Sequence, residues 1–151
     1  MSVSIRNATQ DDFQILLEWG HEFFQYGKFV EKGLRFDVGS FKRLVDYLIS
    51  DGILLIAEDE VPIGSVGGII YPFMFDQSNI IATEVWWWVD PSYRNSNVGM
   101  KLLREFETVA KLNGATSVMM VTIDTENEHA LHKYYQKFGY KHLEHHYIKE
   151  L

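Results

Sequence analysis

Apolar residues change their spacing along this chain, and each change marks the end of one element and the start of another. From Ser2 to Asn7, Val3 and Ile5 alternate with polar neighbours, the period of a short strand. Phe13, Leu16, Leu17, Phe23 and Phe24 then recur at helical spacing, which predicts a helix from about Gln10 to Tyr26. Thr9 is a good N-cap for it, Asp11 and Asp12 put negative charge in its first turn, and Gly20 is its weak point. Gly27 to Gly39 has no clear period and reads as a loop able to fold over a site. Phe41, Leu44, Val45, Leu48 and Ile49 form a second helical stripe, capped by Asp37 or Ser40 and ended by Asp51-Gly52.

The middle of the chain switches to strands. Ile53 to Glu58 and Val61 to Tyr71 flank a tight Asp59-Glu60 turn, and Gly64, Gly67 and Gly68 suggest bulges or close backbone approach in the second strand. After a loop from Pro72 to Ser78, Asn79 to Val89 is a further strand. A helix follows from Asn97 to about Leu112, closed by Asn113-Gly114. Ser117 to Ile123 reads as a buried strand, Ala130 to Phe138 as a short helix ended by Gly139, and Tyr140 to Leu143 and His145 to Lys149 as closing strand segments. The order β-α-α-β-β-β-α-β-α-β implies an α/β (α+β) layered domain spanning 1–151. Its central sheet is expected to be mixed and mostly antiparallel, flanked by about four helices.

Composition narrows the function classes. With 46% hydrophobic and 23% charged residues, the chain looks like an ordinary soluble globular protein. It has no cysteine, which excludes a disulfide framework, thiolate metal sites and cysteine nucleophiles. The opening Met-Ser-Val-Ser-Ile-Arg lacks a signal-peptide layout, so the expected location is cytoplasmic. No apolar run is long enough for a membrane span. A net charge of −7 argues against nucleic acid as a partner and is compatible with a cationic substrate, or simply with solubility. His129, His132, His142, His145 and His146 lack a ligand pattern with acidic partners, so no metal is expected.

The stretch Val85 to Leu103 carries the chemistry. An aromatic, β-branched strand stops at Asp90-Pro91, a short polar loop follows, and an amphipathic helix begins. A helix N-terminus exposes unpaired N–H groups and the positive end of the dipole, so it holds phosphate well. Backbone N–H groups of Asn95, Ser96, Asn97, Val98, Gly99 and Met100, with charge from Arg94, would cradle a pyrophosphate.

Two motifs together resemble the GNAT family of acyl-CoA N-acyltransferases. One is Val89-Asp90-Pro91-Ser92-Tyr93 before Arg94-Asn95-Ser96-Asn97-Val98-Gly99; the other runs from Asn127-Glu128-His129-Ala130 to Tyr134-Tyr135-Gln136-Lys137-Phe138-Gly139-Tyr140. The element order is similar over nearly the whole chain. Asn95 and Asn97 stand where the family has glycine, and asparagine is the next most tolerant residue of left-handed φ.

What the resemblance implies is acetyl transfer from acetyl-CoA, or another acyl-CoA, to an amine on a small molecule, polyamine or peptide. In such a protein the strands matching Asn79–Val89 and Ser117–Ile123 splay, and the cofactor arm pairs with backbone near Trp87 and Val89, as an added strand does. Tyr135 would protonate the leaving thiolate, and Glu84 would serve as a base. The Trp86 or Trp87 N–H would face the oxyanion, and Asn127 would contact the cofactor arm or cap the last helix. Phe29, Tyr71 and Phe73 are acceptor-site candidates, with Phe24, Tyr26, Glu31 and Phe75 nearby in the same loops. The physical reading of the residues keeps two alternatives open: a non-catalytic acyl-CoA-binding or regulatory protein, and an interaction protein. A monomer and a homodimer are equally compatible with it.

Overall fold

The computed structural model describes residues 2–151; Met1, the first residue of the leader reading and of the 1–151 span, lies outside them. Strand β1 (Ser4–Asn7) leads through a 3-10 turn (Gln10–Asp12) into α1 (Phe13–Tyr26), and a second such turn (Phe29–Lys32) precedes α2 (Val38–Ser50). Strands β2 (Ile53–Asp59), β3 (Val61–Phe73) and β4 (Asp76–Val89) form a meander, followed by α3 (Val98–Leu112), β5 (Ser117–Met119) and α4 (Glu128–Lys137). The sheet runs β1-β2-β3-β4-β5, antiparallel throughout except that β4 and β5 are parallel. Joining strands through a helix permits the parallel pair, whereas the two tight turns enforce antiparallel ones. Among the described residues, no helix is long and apolar enough to cross a membrane.

Local chemistry fixes the entry to α1. The Thr9 hydroxyl accepts the Asp11 N–H, and the Asp12 carboxylate accepts the Thr9 N–H at 2.8 Å. Arg6 donates both terminal nitrogens to Asp12 at 2.8 Å and its Nε to Glu58 at 2.9 Å, tying β1, β2 and the helix entry together. That pairing holds the Asp12 carboxyl below the usual carboxylate range.

Apolar side chains divide between the two faces of the sheet. Leu16, Trp19, Phe41, Val45, Leu48, Trp86 and Trp88 pack beneath α1 and α2. Ile53, Leu55, Val66, Val98, Leu102 and Phe106 pack beneath α3. The three consecutive tryptophans divide as strand alternation requires, with Trp87 on the α3 face.

Two irregularities shape the sheet. Gly67 pairs with Trp86 but Gly68 pairs with Glu84, so Val85 is a bulged residue with no partner on β3. Gly68 is required there: a Cβ would lie 2.4 Å from the Phe106 ring and 2.9 Å from the Thr83 carbonyl. The second irregularity is a split. β5 pairs with β4 only from Ile81↔Ser117 to Thr83↔Met119, and beyond Thr83 β4 continues to Val89 without it.

The structure corrects three expectations. The strand expected over Ser117 to Ile123 ends at Met119, because the chain turns away from β4 there. The loop expected over Pro72 to Ser78 shrinks to a hairpin tip, with Phe73 opposite Asp76. Tyr140 to Leu143 and His145 to Lys149 form no strands. A strand needs a partner edge, and β5 offers only three residues; Leu143, Tyr147 and Ile148 accordingly remain exposed.

Candidate active site

The split between β4 and β5 is where the chemistry-bearing residues gather. On β4, Glu84 stands one residue past the last pair with β5, Thr83↔Met119, and is only 7% exposed. Its carboxylate accepts the N–H of Val121, just past the end of β5, at 2.9 Å. Burial pushes the Glu84 pKa up from 4.5 to about 7, and the Val121 N–H partly opposes that shift by favouring the charged form. From the other side, α4 supplies Tyr135, also 7% exposed, whose hydroxyl donates to the Val121 carbonyl at 3.1 Å. Burial raises the Tyr135 pKa above the ordinary phenol value, and the nearby Glu84 charge adds to the rise. One residue, Val121, is therefore gripped through its N–H by Glu84 and through its C=O by Tyr135.

Trp87 forms the wall on the α3 side. Its ring centroid lies 5.9 Å from Tyr134 and 6.0 Å from Tyr135. The Trp87 indole N–H and the Tyr134 hydroxyl are both buried without a hydrogen-bond partner among the described residues. Each forgoes about 1–3 kcal/mol by losing water without replacement, which is uncommon for polar groups in a core.

At the end of β4 the chain is pinned by short-range bonds. Asp90 accepts the Ser92 N–H at 2.9 Å, Pro91–Tyr93 forms a 3-10 turn, and Ser96 Oγ donates to the Tyr93 carbonyl and accepts the Val98 N–H. Arg94 Nε donates to the Val89 carbonyl at 2.9 Å, and its guanidinium lies 4.3 Å above the Trp88 ring. Helix α3 then starts with no side-chain cap from Asn97. Its first intrahelical bond runs from Lys101 to Asn97, and the N–H groups of Gly99 and Met100 find no acceptor among the described residues. Asn97 has φ −87°, and Asn95 is not among the residues with positive φ. Left-handed tolerance was the expected reason for asparagine here; the observed loop does not use it. Gly99 leaves the first turn open toward Trp87, since even a Cβ there would only reach ordinary contact at 3.4 Å.

Asn127 lies at the start of α4, but its side chain does not cap that helix. The amide donates to the Tyr26 hydroxyl at 2.8 Å, and Tyr26 also meets Thr125 at 3.3 Å, so the end of α1 is tied to the start of α4. Phe29 lines two adjoining cavities. One, of about 450 Å³, is bordered by Glu84, Val121, Asp124, Lys32 and the tail residue His146. The other, of about 160 Å³, is walled by aromatic rings beneath α1 and α2. Tyr71 and Phe73 border neither cavity. Tyr71 bonds Thr83 at 2.9 Å within the hairpin, and Phe73 packs on Phe75 at its exposed tip. Among the described residues, no group of three or more metal-ligating side chains could hold an ion; His132, His142 and His145 instead meet edge to face.

Two residues escaped sequence reasoning. Val121 acts through its backbone, which no side-chain motif reveals. Val85 is the bulge, and its only signal was the Gly67-Gly68 pair on the facing strand.

The family model described as Acetyltransferase (GNAT) family matches residues 7–140. Solved structures with the same fold include an aminoglycoside acetyltransferase from an uncultured soil metagenomic sample, 14% identical, with TM-score 0.75, covering 100% of this chain and 99% of that one. AAC(6')-Iy in complex with the bisubstrate analogue CoA-S-monomethyl-acetylneamine is 15% identical, with TM-score 0.74, covering 100% and 99%. A putative acetyl transferase from Pyrococcus furiosus is 20% identical, with TM-score 0.69, covering 99% and 100%. At these identities the likeness is one of fold. No curated protein matches the sequence.

Proposed function

The chain belongs to the acetyltransferase (GNAT) family, and from that premise we propose that it transfers an acetyl group from acetyl-CoA, or a related acyl group from its CoA thioester, to the amine of a small molecule or peptide. The observation that carries this reading is the split after Thr83↔Met119, with Glu84 and Tyr135 converging on Val121 inside it.

The residues present fit a CoA thioester. The unpaired N–H groups of Gly99 and Met100 lie at the positive end of α3, where a pyrophosphate is well received. Arg94 stands in the loop before α3, its guanidinium held over the Trp88 ring on the α1–α2 face. The β4 edge from Glu84 to Val89, unpaired by β5, offers backbone groups to an extended arm near Trp87 and Val89. Asn127 is tied to the end of α1 through Tyr26. The thioester supplies an acyl group activated toward amines.

Proton handling falls to two side chains. With a pKa of about 7, Glu84 is substantially ionised at neutral pH and can take a proton from an incoming ammonium group. Tyr135, its pKa raised by burial, keeps its proton on the hydroxyl oxygen and holds it where a departing sulfur needs one. Amine acceptors among the structural neighbours, including aminoglycosides by name, support an amine here at the level of reaction class.

The test is calorimetric titration of acetyl-CoA, followed by thiol release with a panel of amines. Tyr135→Phe should lower kcat by about 10²-fold while changing acetyl-CoA affinity little, as loss of a general acid predicts. No heat with acetyl-CoA would defeat the proposal; binding without thiol release for any amine would favour an acyl-CoA-binding role instead.

A further inference from the structure

Resting on the acetyl-transfer reading above, we propose that the acceptor is a singly charged aryl- or short-alkylamine, its apolar end seated in the aromatic cavity under α1 and its amine beside Glu84. The cavity wall includes Phe23, Phe24, Phe29, Phe36, Phe41 and Trp88, and none of its lining side chains is ionisable. Its volume of about 160 Å³ matches a cavity of roughly 150 Å³ that stays dry and takes up benzene. One ring, or a chain of similar bulk, fills it.

The bulge links this cavity to the carboxylate. Val85 has no β3 partner, and Phe23, Phe29 and Val85 border both cavities. The apolar chamber and the Glu84 chamber therefore share a wall at the point where β4 loses its alternation. An amine joined to a ring by a short linker spans that wall. Gly20 contributes by omission: a Cβ there would meet the Phe41 ring at 2.9 Å and the Phe36 ring at 3.4 Å.

Charge selects against the other amines. The larger cavity carries two carboxylates, Glu84 and Asp124, against one lysine, Lys32. That balance suits one ammonium group and leaves a polyamine only Asp124, offset by Lys32, for its further charges. An acceptor bearing its own carboxylate would meet ionised Glu84. In the balanced reaction the N–C(acyl) bond forms and the thioester C–S bond breaks. The ammonium gives up two protons, one through Glu84 to water and one ending on the CoA thiol.

The experiment compares phenethylamine, hexylamine, propylamine and spermidine in thiol release, and follows tryptophan fluorescence with benzyl alcohol, a neutral probe needing neither acetyl-CoA nor Glu84. Trp19, Trp86 and Trp88 line the cavity, so occupancy should alter the emission. Phenethylamine and hexylamine should exceed propylamine in kcat/KM by about 10–100-fold, the worth of burying a ring or a short alkyl chain. Phe36→Ala should move the optimum toward bulkier rings, and Phe36→Leu gives a milder enlargement should the alanine variant fold poorly. Spermidine or propylamine turning over faster than phenethylamine would overturn the assignment while leaving acetyl transfer intact. A fluorescence response to benzyl alcohol without any heat from acetyl-CoA would uphold the apolar site while removing the acetyl-transfer reading. No response to benzyl alcohol in the wild-type protein would overturn the apolar site.

Discussion

Glu84 ties stability to pH through one proton, and on the proposed reading it ties activity to the same proton. Its folded pKa of about 7 lies above the 4.5 of an ordinary glutamate, so the folded state binds the proton more tightly than the unfolded state. The resulting stabilisation is complete below about pH 4.5 and is lost as pH rises through about 7. Urea denaturation should therefore find the protein less stable at pH 8 than at pH 5 by on the order of 1–3 kcal/mol from this group, and Glu84→Gln should remove that difference. On the acetyl-transfer proposal activity runs the other way, because Glu84 as base must be ionised: kcat/KM should climb between pH 6 and 8 and flatten above. A wild-type profile flat over that interval would show that Glu84 is not the base. Tyr135 is suggested by its place in the second motif and Glu84 by its place on the strand, but their meeting on the backbone of Val121 is not legible in the residue order. A hydrogen bond to a peptide group depends on where two distant segments come to lie, and any residue type can stand at that peptide.

Strand β4 does its work by being irregular. The bulge at Val85 and the departure of β5 after Met119 turn an ordinary edge pairing into an open slot, and Gly68 makes room for Phe106 behind it. Gly68→Ala should cost about 1–3 kcal/mol by overpacking against Phe106, read as a lower urea midpoint with little change in m. Pairing it with Phe106→Leu should recover part of the loss, since the clash is with the ring. Helix and strand identities followed from periodicity because α1, α2 and α3 each bury one stripe against the sheet. Periodicity failed after α4. The alternation from Tyr140 onward resembles a strand, yet pairing requires an edge, and the available edge stops at Met119.

The sheet separates two apolar layers that share no side chain among their buried members. Val45 on α2 and Val98 on α3 are both fully buried, on opposite faces of the sheet. Each valine-to-alanine change should cost about 1–3 kcal/mol, and the double variant should equal the sum within about 0.5 kcal/mol. Val98→Ala alone should also weaken acetyl-CoA binding, because it loosens the helix end that carries the free Gly99 and Met100 N–H groups. Non-additive denaturation midpoints would show that the layers communicate through the sheet. The amino-acid order determined the helices, the central strands, the two-faced tryptophan run and the strand-turn-helix of β4 and α3, because each depends on periods and caps within a few residues. The fold had to supply the rest. The split at Met119, the bulge at Val85 on the border of both cavities, and the burial that lifts Glu84 to about 7 all arise from contacts between segments far apart in the chain. Such contacts leave no local period to read, and so the strand-turn-helix was evident in the residue order while the slot beside it was not.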